Sequence, residues 1–210
     1  MYSRNRTQKR KNVLYCNGGE CIVTERGIRI MVYLFLADGF EEVEALCPLD
    51  LLRRAGADVK TVGVTGKYVA GAHDITVTAD ILPEEMVLDR DLEMIILPGG
   101  MPGTNNLDAS GAVHEAVRYA AERGITIGAI CAAPLIIGKL GYLSGRSAVC
   151  YPGFEKYLIG ANISAKSVVV DENYITAKGM GVAGPFGLAL VTALFGEECA
   201  QELFRSTMMQ

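Results

Sequence analysis

A chain of 210 residues, half of them apolar and 21% charged, can bury a sizeable core, which excludes a wholly disordered protein. Its net charge is only −4, from 20 Lys and Arg against 24 Asp and Glu, and no basic stripe crosses the body, which argues against nucleic acid as a main partner. No apolar run reaches the roughly 18 residues that a membrane span needs.

The charge is uneven. The first thirty residues hold Arg4, Arg6, Lys9, Arg10, Lys11, Arg26 and Arg29 against Glu20 and Glu25, so a basic leader precedes an acidic body. Residues 1–29 read as a flexible extension, and residues 30–210 as a single domain. A secretory signal is the poorer reading, because more than twenty mixed residues separate the basic cluster from the apolar Ile30 to Ala37. Six cysteines occur without a CxxC pair, in a chain large enough to fold without disulfides, so reduced thiols and a cytoplasmic location are expected. Cys16 and Cys21 have no second ligand pair nearby, and with His73 and His114 as the only histidines no metal site is expected.

Along the chain, short apolar runs alternate with helical patterns, the mark of βαβ units around a parallel sheet. Ile30 to Leu36 predicts a strand, Glu41 to Ala55 a helix stopped by Gly56, and Asp58 to Val64 a second strand. A β excursion follows from Tyr68 to Thr78. Leu92 to Leu97 predicts a third core strand, closing on Pro98-Gly99-Gly100. Ser110 caps a helix to Arg123 with Ala112, Val113, Ala116, Val117 and Ala120 inward. Ile125 to Ile130 predicts a strand running into a buried helix from about Ala132. Ala148 to Tyr151, Ser167 to Asp171 and Tyr174 to Ala177 complete the strands, and helices over Ala183 to Leu194 and Glu197 to Arg205 end the chain. The fold class is a doubly wound α/β sandwich, whose ligands bind beyond the carboxyl ends of the strands.

Three strand ends carry chemistry. Cys131 leaves a strand straight into a helix amid small Gly128, Ala129, Ala132 and Ala133, the layout of a nucleophile elbow. Free amides and the helix dipole there predict a depressed pKa and a partial thiolate. Position alone fits an inert buried thiol equally well. Glu44 shares a helical stripe with Pro48, Leu51 and Ala55 and should face inward, whereas Glu41, Glu42, Asp50 and Arg53 should reach water. A buried carboxyl raises its pKa, and a protonated Glu44 would donate a hydrogen bond to a Cys131 thiolate. A first-turn carboxylate favoured by the helix dipole is an equal alternative. Gly99 and Gly100 leave room for backbone amides that, with the amide of Ala132, would form an oxyanion pocket.

The stretches Asp38-Gly39-Phe40-Glu41-Glu42-Val43-Glu44, Leu52-Arg53-Arg54-Ala55-Gly56, Leu97-Pro98-Gly99-Gly100 and Ala129-Ile130-Cys131-Ala132-Ala133-Pro134 together resemble the ThiJ/PfpI family, in its deglycase branch, over about Ile30 to Arg205. The resemblance implies a flavodoxin-like sandwich of the class I glutamine amidotransferase-like type, usually a homodimer. Cys131 matches the reactive cysteine and Glu44 its protonated partner. Gly99, Gly100 and Ala132 match amides of the anion pocket, and Arg54 matches an arginine near the dimer interface. Tyr151 stands where many members have a histidine, and both histidines precede Cys131, so no Cys-then-His triad can be assembled. His73 falls where close relatives have an arginine reaching towards the partner's pocket, although a hairpin-surface histidine is the plainer reading. His114 reads as solvated. The loop Gly179-Met180-Gly181-Val182 departs from the commoner Gly-Pro-Gly-Thr.

The function implied is a cofactor-free cysteine enzyme on small reactive aldehydes, of glyoxalase III or deglycase type, converting methylglyoxal to lactate or repairing glycated groups. The alternative is a redox-sensing stress protein or chaperone whose Cys131 oxidises. An intracellular cysteine peptidase is disfavoured, because Tyr151, with a reference pKa of about 10, is a poor general base.

Overall fold

The computed structural model describes residues 14–17, 20–23 and 30–209. Its strands are β1 (Leu14–Asn17), β2 (Glu20–Val23), β3 (Met31–Leu36), β4 (Asp58–Gly63), β5 (Tyr68–Ala70), β6 (Thr76–Thr78), β7 (Leu92–Leu97), β8 (Thr126–Ile130), β9 (Ser147–Ala148), β10 (Asn162–Ile163), β11 (Val168–Asp171) and β12 (Tyr174–Ala177). Its helices are α1 (Glu42–Arg54), α2 (Gly103–Asp108), α3 (Gly111–Arg123), α4 (Pro134–Lys139), α5 (Ala183–Phe195) and α6 (Glu197–Ser206).

Six strands form the central sheet in the order β11-β12-β8-β7-β3-β4, parallel except for β11, which runs antiparallel to β12. Continuous apolar runs such as Val32-Tyr33-Leu34-Phe35-Leu36 suit strands buried on both faces. Alternation divides them: Val32, Leu34 and Leu36 pack with α1, α5 and α6, while Tyr33 and Phe35 pack with α3 and α4. Helices thus cover both faces of a mostly parallel sheet, a flavodoxin-like α/β sandwich. On one face, α5 presses close to the sheet: a Cβ on Gly128 would lie 2.7 Å from Leu190 Cδ2.

Local signals explain the boundaries. The Glu41 side chain caps α1, accepting the Glu44 N–H at 2.7 Å, and Gly56 turns the chain away at φ +89°. Ser110 caps α3 and Gly124 ends it at φ +64°. The observed inner face of α3 is narrower than predicted, since Val113, Ala116, Val117 and Ala120 are buried but Ala112 is partly exposed.

Three segments differ from the sequence reading. The strand predicted over residues 148–151 shrinks to β9, paired with β10 outside the central sheet. Side-chain acceptors take its backbone instead: Asp171 accepts from Ser147 N at 2.6 Å and Thr176 Oγ1 from Val149 N at 3.0 Å. The six-residue α2 was not predicted, because it has no apolar period. Within the basic leader, β1 and β2 form an antiparallel pair, and the rest of the extension expected over residues 1–29 lies outside the described residues. Among the described residues, no helix is long and apolar enough to cross a membrane.

Candidate active site

The carboxyl ends of β7, β8 and β12 meet at Cys131. This residue follows β8 directly with φ +63°, a left-handed backbone that costs a non-glycine residue about 1–3 kcal/mol. Two backbone bonds hold it: Cys131 N donates to Ala177 O at 2.9 Å, and Cys131 O accepts from Tyr151 N at 2.7 Å. The turn aims the half-buried thiol at α1, where the Glu44 carboxyl hydrogen-bonds to it.

Glu44 is 1% exposed, on the inward stripe with Pro48, Leu51 and Ala55 that its spacing predicts. Its Oε2 accepts the Gly99 N–H at 3.0 Å, and the Met180 N–H adds a further bond. Burial is the largest influence and pushes this carboxyl up to about 7, with the charge of Glu41 adding to it against the hydrogen bonds. The glutamate is therefore substantially protonated at neutrality.

The thiol differs from expectation. Burial first, then the charge and hydrogen bond of Glu44, push Cys131 up to about 12, while the N–H groups of Gly100 and Ala132 act in the opposite sense. The expected depression fails because burial and the neighbouring Glu44 outweigh the two amides. The helix expected from about Ala132 is α4, which has only six residues and begins at Pro134, beyond the turn that holds Cys131. What the fold builds instead is a coupled acid pair that gives up its first proton near pH 7.

The predicted amide pocket divides in two. Gly100 and Ala132 direct their N–H groups at the Cys131 sulfur, whereas Gly99 spends its N–H on Glu44. Gly99 serves by its size. A Cβ there would stand 2.5 Å from Glu44 Oε2 and 2.6 Å from Cys131 Cβ, so no other residue lets the acid and the thiol meet. Gly100 has φ +91°, and a Cβ would lie 2.3 Å from Glu41 N, which packs the turn against the start of α1.

The remaining candidates spread outward. Tyr151 borders the site, its ring 3.4 Å from where a Cβ on Gly179 would stand, and is about half exposed. Arg54 lies at the far end of α1, ten residues and about 15 Å from Glu44, and pairs with Asp50 at 2.6 Å on the surface. His73 sits on the hairpin surface, where its Nδ1 meets Glu42 Oε2 at 2.8 Å and its N–H donates to Glu42 Oε1 at 2.7 Å. This corrects the reading of Glu42, which is 4% exposed rather than solvated. Burial would raise its carboxyl, but the bonds from His73 outweigh that and hold it below the usual range. Only a fold-dependent partner could reveal this. His114 is likewise less solvated than expected, with Nε2 3.5 Å from Asp108. Contrary to the scarcity of metal ligands inferred from two histidines, Glu41, Glu42 and His73 bring ligand atoms within 4.8 Å of one another. Both Glu42 oxygens are engaged by His73, and a Glu41 oxygen caps α1. Met180, which bonds Glu44 through its backbone, was missed as a site residue. Its only sequence signal was the unusual loop around it.

Residues 30–193 match the model of the DJ-1/PfpI family. The chain is 34% identical over 179 residues to the protein dj-1beta of Drosophila melanogaster, covering 84% of this chain and 95% of that one. It is 30% identical to a glutathione-independent glyoxalase of Caenorhabditis elegans, covering 79% and 88%, and 31% identical to a deglycase of Pyrococcus abyssi, covering 70% and 89%. The solved structure of oxidized Toxoplasma gondii DJ-1 superposes with a TM-score of 0.81 at 31% identity, over 85% of this chain and 98% of that one. With the family's model matched over residues 30–193 and relatives of 30–34% identity covered over most of their length, the chain belongs to the DJ-1/PfpI family.

Proposed function

We propose that the protein is a cofactor-free, Cys131-dependent enzyme acting on small α-oxoaldehydes, of glyoxalase III or deglycase type. The observation that carries this reading is the hydrogen-bonded pair of the Cys131 thiol and the buried Glu44 carboxyl, with the Gly100 and Ala132 amides aimed at the sulfur. The similarity to proteins named as a glyoxalase and a deglycase supports it.

The chemistry balances without an external oxidant. Sulfur bonds to the aldehyde carbon of methylglyoxal, and the carbonyl oxygen becomes an alkoxide that the Gly100 and Ala132 amides stabilise. Glu44 carries the thiol proton to that oxygen, then moves the proton on the former aldehyde carbon to the neighbouring carbon, while the proton of the new hydroxyl passes to the ketone oxygen. The former aldehyde carbon is thereby oxidised to a thioester and the ketone reduced to an alcohol. Water cleaves the carbon–sulfur bond, releasing lactate and restoring the thiol. On a glycated amine the same attack releases the amine as the leaving group.

The test is lactate formation from methylglyoxal without glutathione. Wild type should turn over, and Cys131→Ser should fall to background. Equal turnover by Cys131→Ser would overturn the reading. A homodimer in the cytoplasm belongs to the same proposal: Val43 on α1 and Ile75 between β5 and β6 leave apolar surface about half exposed, and a nucleophilic thiol requires a reducing compartment. Light scattering tests the dimer.

A second reading is favoured by one observation, the similarity to a structure solved in an oxidized state. In it, peroxide converts Cys131 to a sulfinic acid held by Glu44 and the two amides, each step adding one peroxide oxygen to sulfur and releasing water. Intact mass after mild peroxide, in a protein without Cys131-dependent turnover, would select it.

A further inference from the structure

Near the thiol–carboxyl pair lies an open recess of about 320 Å³, lined by Tyr151, Pro152 and the segment from Lys178 to Val182. Two observations tie it to the reaction site. Tyr151 N donates to Cys131 O at 2.7 Å, so the tyrosine is fixed to the residue that carries the nucleophile. Gly179 occupies the boundary: a Cβ there would lie 3.4 Å from the Tyr151 ring and 3.7 Å from Glu44 Oε1. The recess therefore adjoins the Glu44 side of the reaction site, with Gly179 between them.

The lining decides what fits. Tyr151 and Met180 are each about half exposed, apolar surface that a ligand would cover. The ammonium of Lys178, itself a lining residue, donates to Ala165 O at 3.0 Å, and among the described residues lining the recess none is an Asp or Glu. A flat ring can lie against the tyrosine face while the flexible thioether adapts to its edge. A methyl group would leave most of that surface wet.

We infer that the preferred substrates are α-oxoaldehydes bearing an aromatic or similarly large apolar group, with Tyr151 and Met180 setting that preference. The inference rests on the proposed α-oxoaldehyde chemistry and deepens it. Phenylglyoxal takes up one water by the same sequence, its aldehyde carbon oxidised and its ketone reduced, and leaves as mandelate.

The experiment has two arms. In the first, initial rates give kcat/KM for phenylglyoxal and methylglyoxal in wild type, Tyr151→Ala and Met180→Ala. Phenylglyoxal should be favoured by about tenfold or more in wild type, since even one methylene in an apolar pocket is worth roughly 10–200-fold, and each variant should cut the ratio several-fold. In the second arm, intact mass follows alkylation of Cys131 by N-benzyliodoacetamide and by iodoacetamide, normalised to free cysteine. The benzyl reagent should be favoured about tenfold, with the preference lost in both variants. A benzyl preference equal to that of free cysteine, or ratios unmoved by either substitution, would overturn the inference while leaving Cys131-dependent turnover intact. Absence of turnover on both aldehydes would instead overturn the proposed function, and the alkylation arm would still decide the recess.

Discussion

Glu44 can be buried because its surroundings let it keep a proton. Its carboxyl rises from an ordinary 4.5 to about 7 on folding, so between those values the folded chain binds more protons than the unfolded one. Stability attributable to this group is complete below about pH 4.5, declines as pH rises to about 7 and is flat above it. The span corresponds to about 3 kcal/mol by linkage. Urea unfolding at pH 5 and pH 7.5 should show that decline in wild type and lose this component in Glu44→Gln, whose amide does not titrate. The same ionisation bears on catalysis. Removing the first proton from the Cys131–Glu44 pair leaves one proton shared between sulfur and oxygen, the composition from which attack can proceed. Turnover of methylglyoxal, followed as kcat/KM, should therefore rise through about pH 7. Glu44→Gln should lose that inflection and fall by roughly a hundredfold or more, the usual contribution of a positioned acid or base.

Among the elements, the glycine at the end of β7 makes the pair possible. Gly99→Ala would force a methyl group to within 2.5 Å of Glu44 Oε2 and 3.0 Å of Ile130 O, so it should destabilise the chain by about 1–3 kcal/mol, seen as a lower urea midpoint, and reduce Cys131-dependent turnover. This position also shows what a sequence can reveal. The small residues around Cys131 and the stripe through Glu44 were legible because each is local: a strand-to-helix junction in one case, a 3.6-residue period in the other. The inward stripe, the limits of β7 and β12 and the cap of α3 follow from such short-range rules. The partner of each polar atom does not. Gly99 looks like an anion-binding amide until the fold sets Glu44 in front of it, and Glu42 looks solvated until a hairpin thirty residues later brings His73 over it. The thiol was misjudged for the same reason, since its proton affinity depends on burial and on a carboxylate 87 positions away, not on the short helix that follows it. β9 was overestimated because Asp171 and Thr176, contributed by other strands, claim the amides that a longer ladder would have used.

Across the whole molecule, two apolar layers enclose one sheet, and the β5–β6 hairpin lies outside that sheet with Val69 buried in one layer and Val77 packed against it, so loss of a polar tie alone should loosen the hairpin without lowering global stability. Leu34 is wholly buried in the layer formed with α1 and α5, and Leu34→Ala should cost about 2–5 kcal/mol, seen as a lower urea midpoint. The hairpin is tied to the start of α1 by backbone bonds, Gly39 N to Ala70 O and Ala72 N to Phe40 O, both 2.8 Å. Asp38 Oδ1 accepts Ala70 N at 2.9 Å, and the bond between the His73 ring and Glu42 completes the attachment. His73→Ala removes that last tie and leaves the others, so hydrogen exchange should speed up over Tyr68–Thr78 while the urea midpoint stays close to wild type. The pH dependence has a definite sign. The Glu42 hydrogen bond and charge raise the His73 imidazole above its ordinary 6.5, so its contribution is complete below that value and is lost as pH rises through the raised one. Glu42, held low by His73 against its own burial, sets the acid limit, and its contribution is lost as pH falls through its lowered value. Protection factors over Tyr68–Thr78 should therefore peak between those limits in wild type and lose the alkaline decline in His73→Ala. Equal protection in the two proteins across this range would show that the His73–Glu42 bond adds nothing to the attachment of the hairpin.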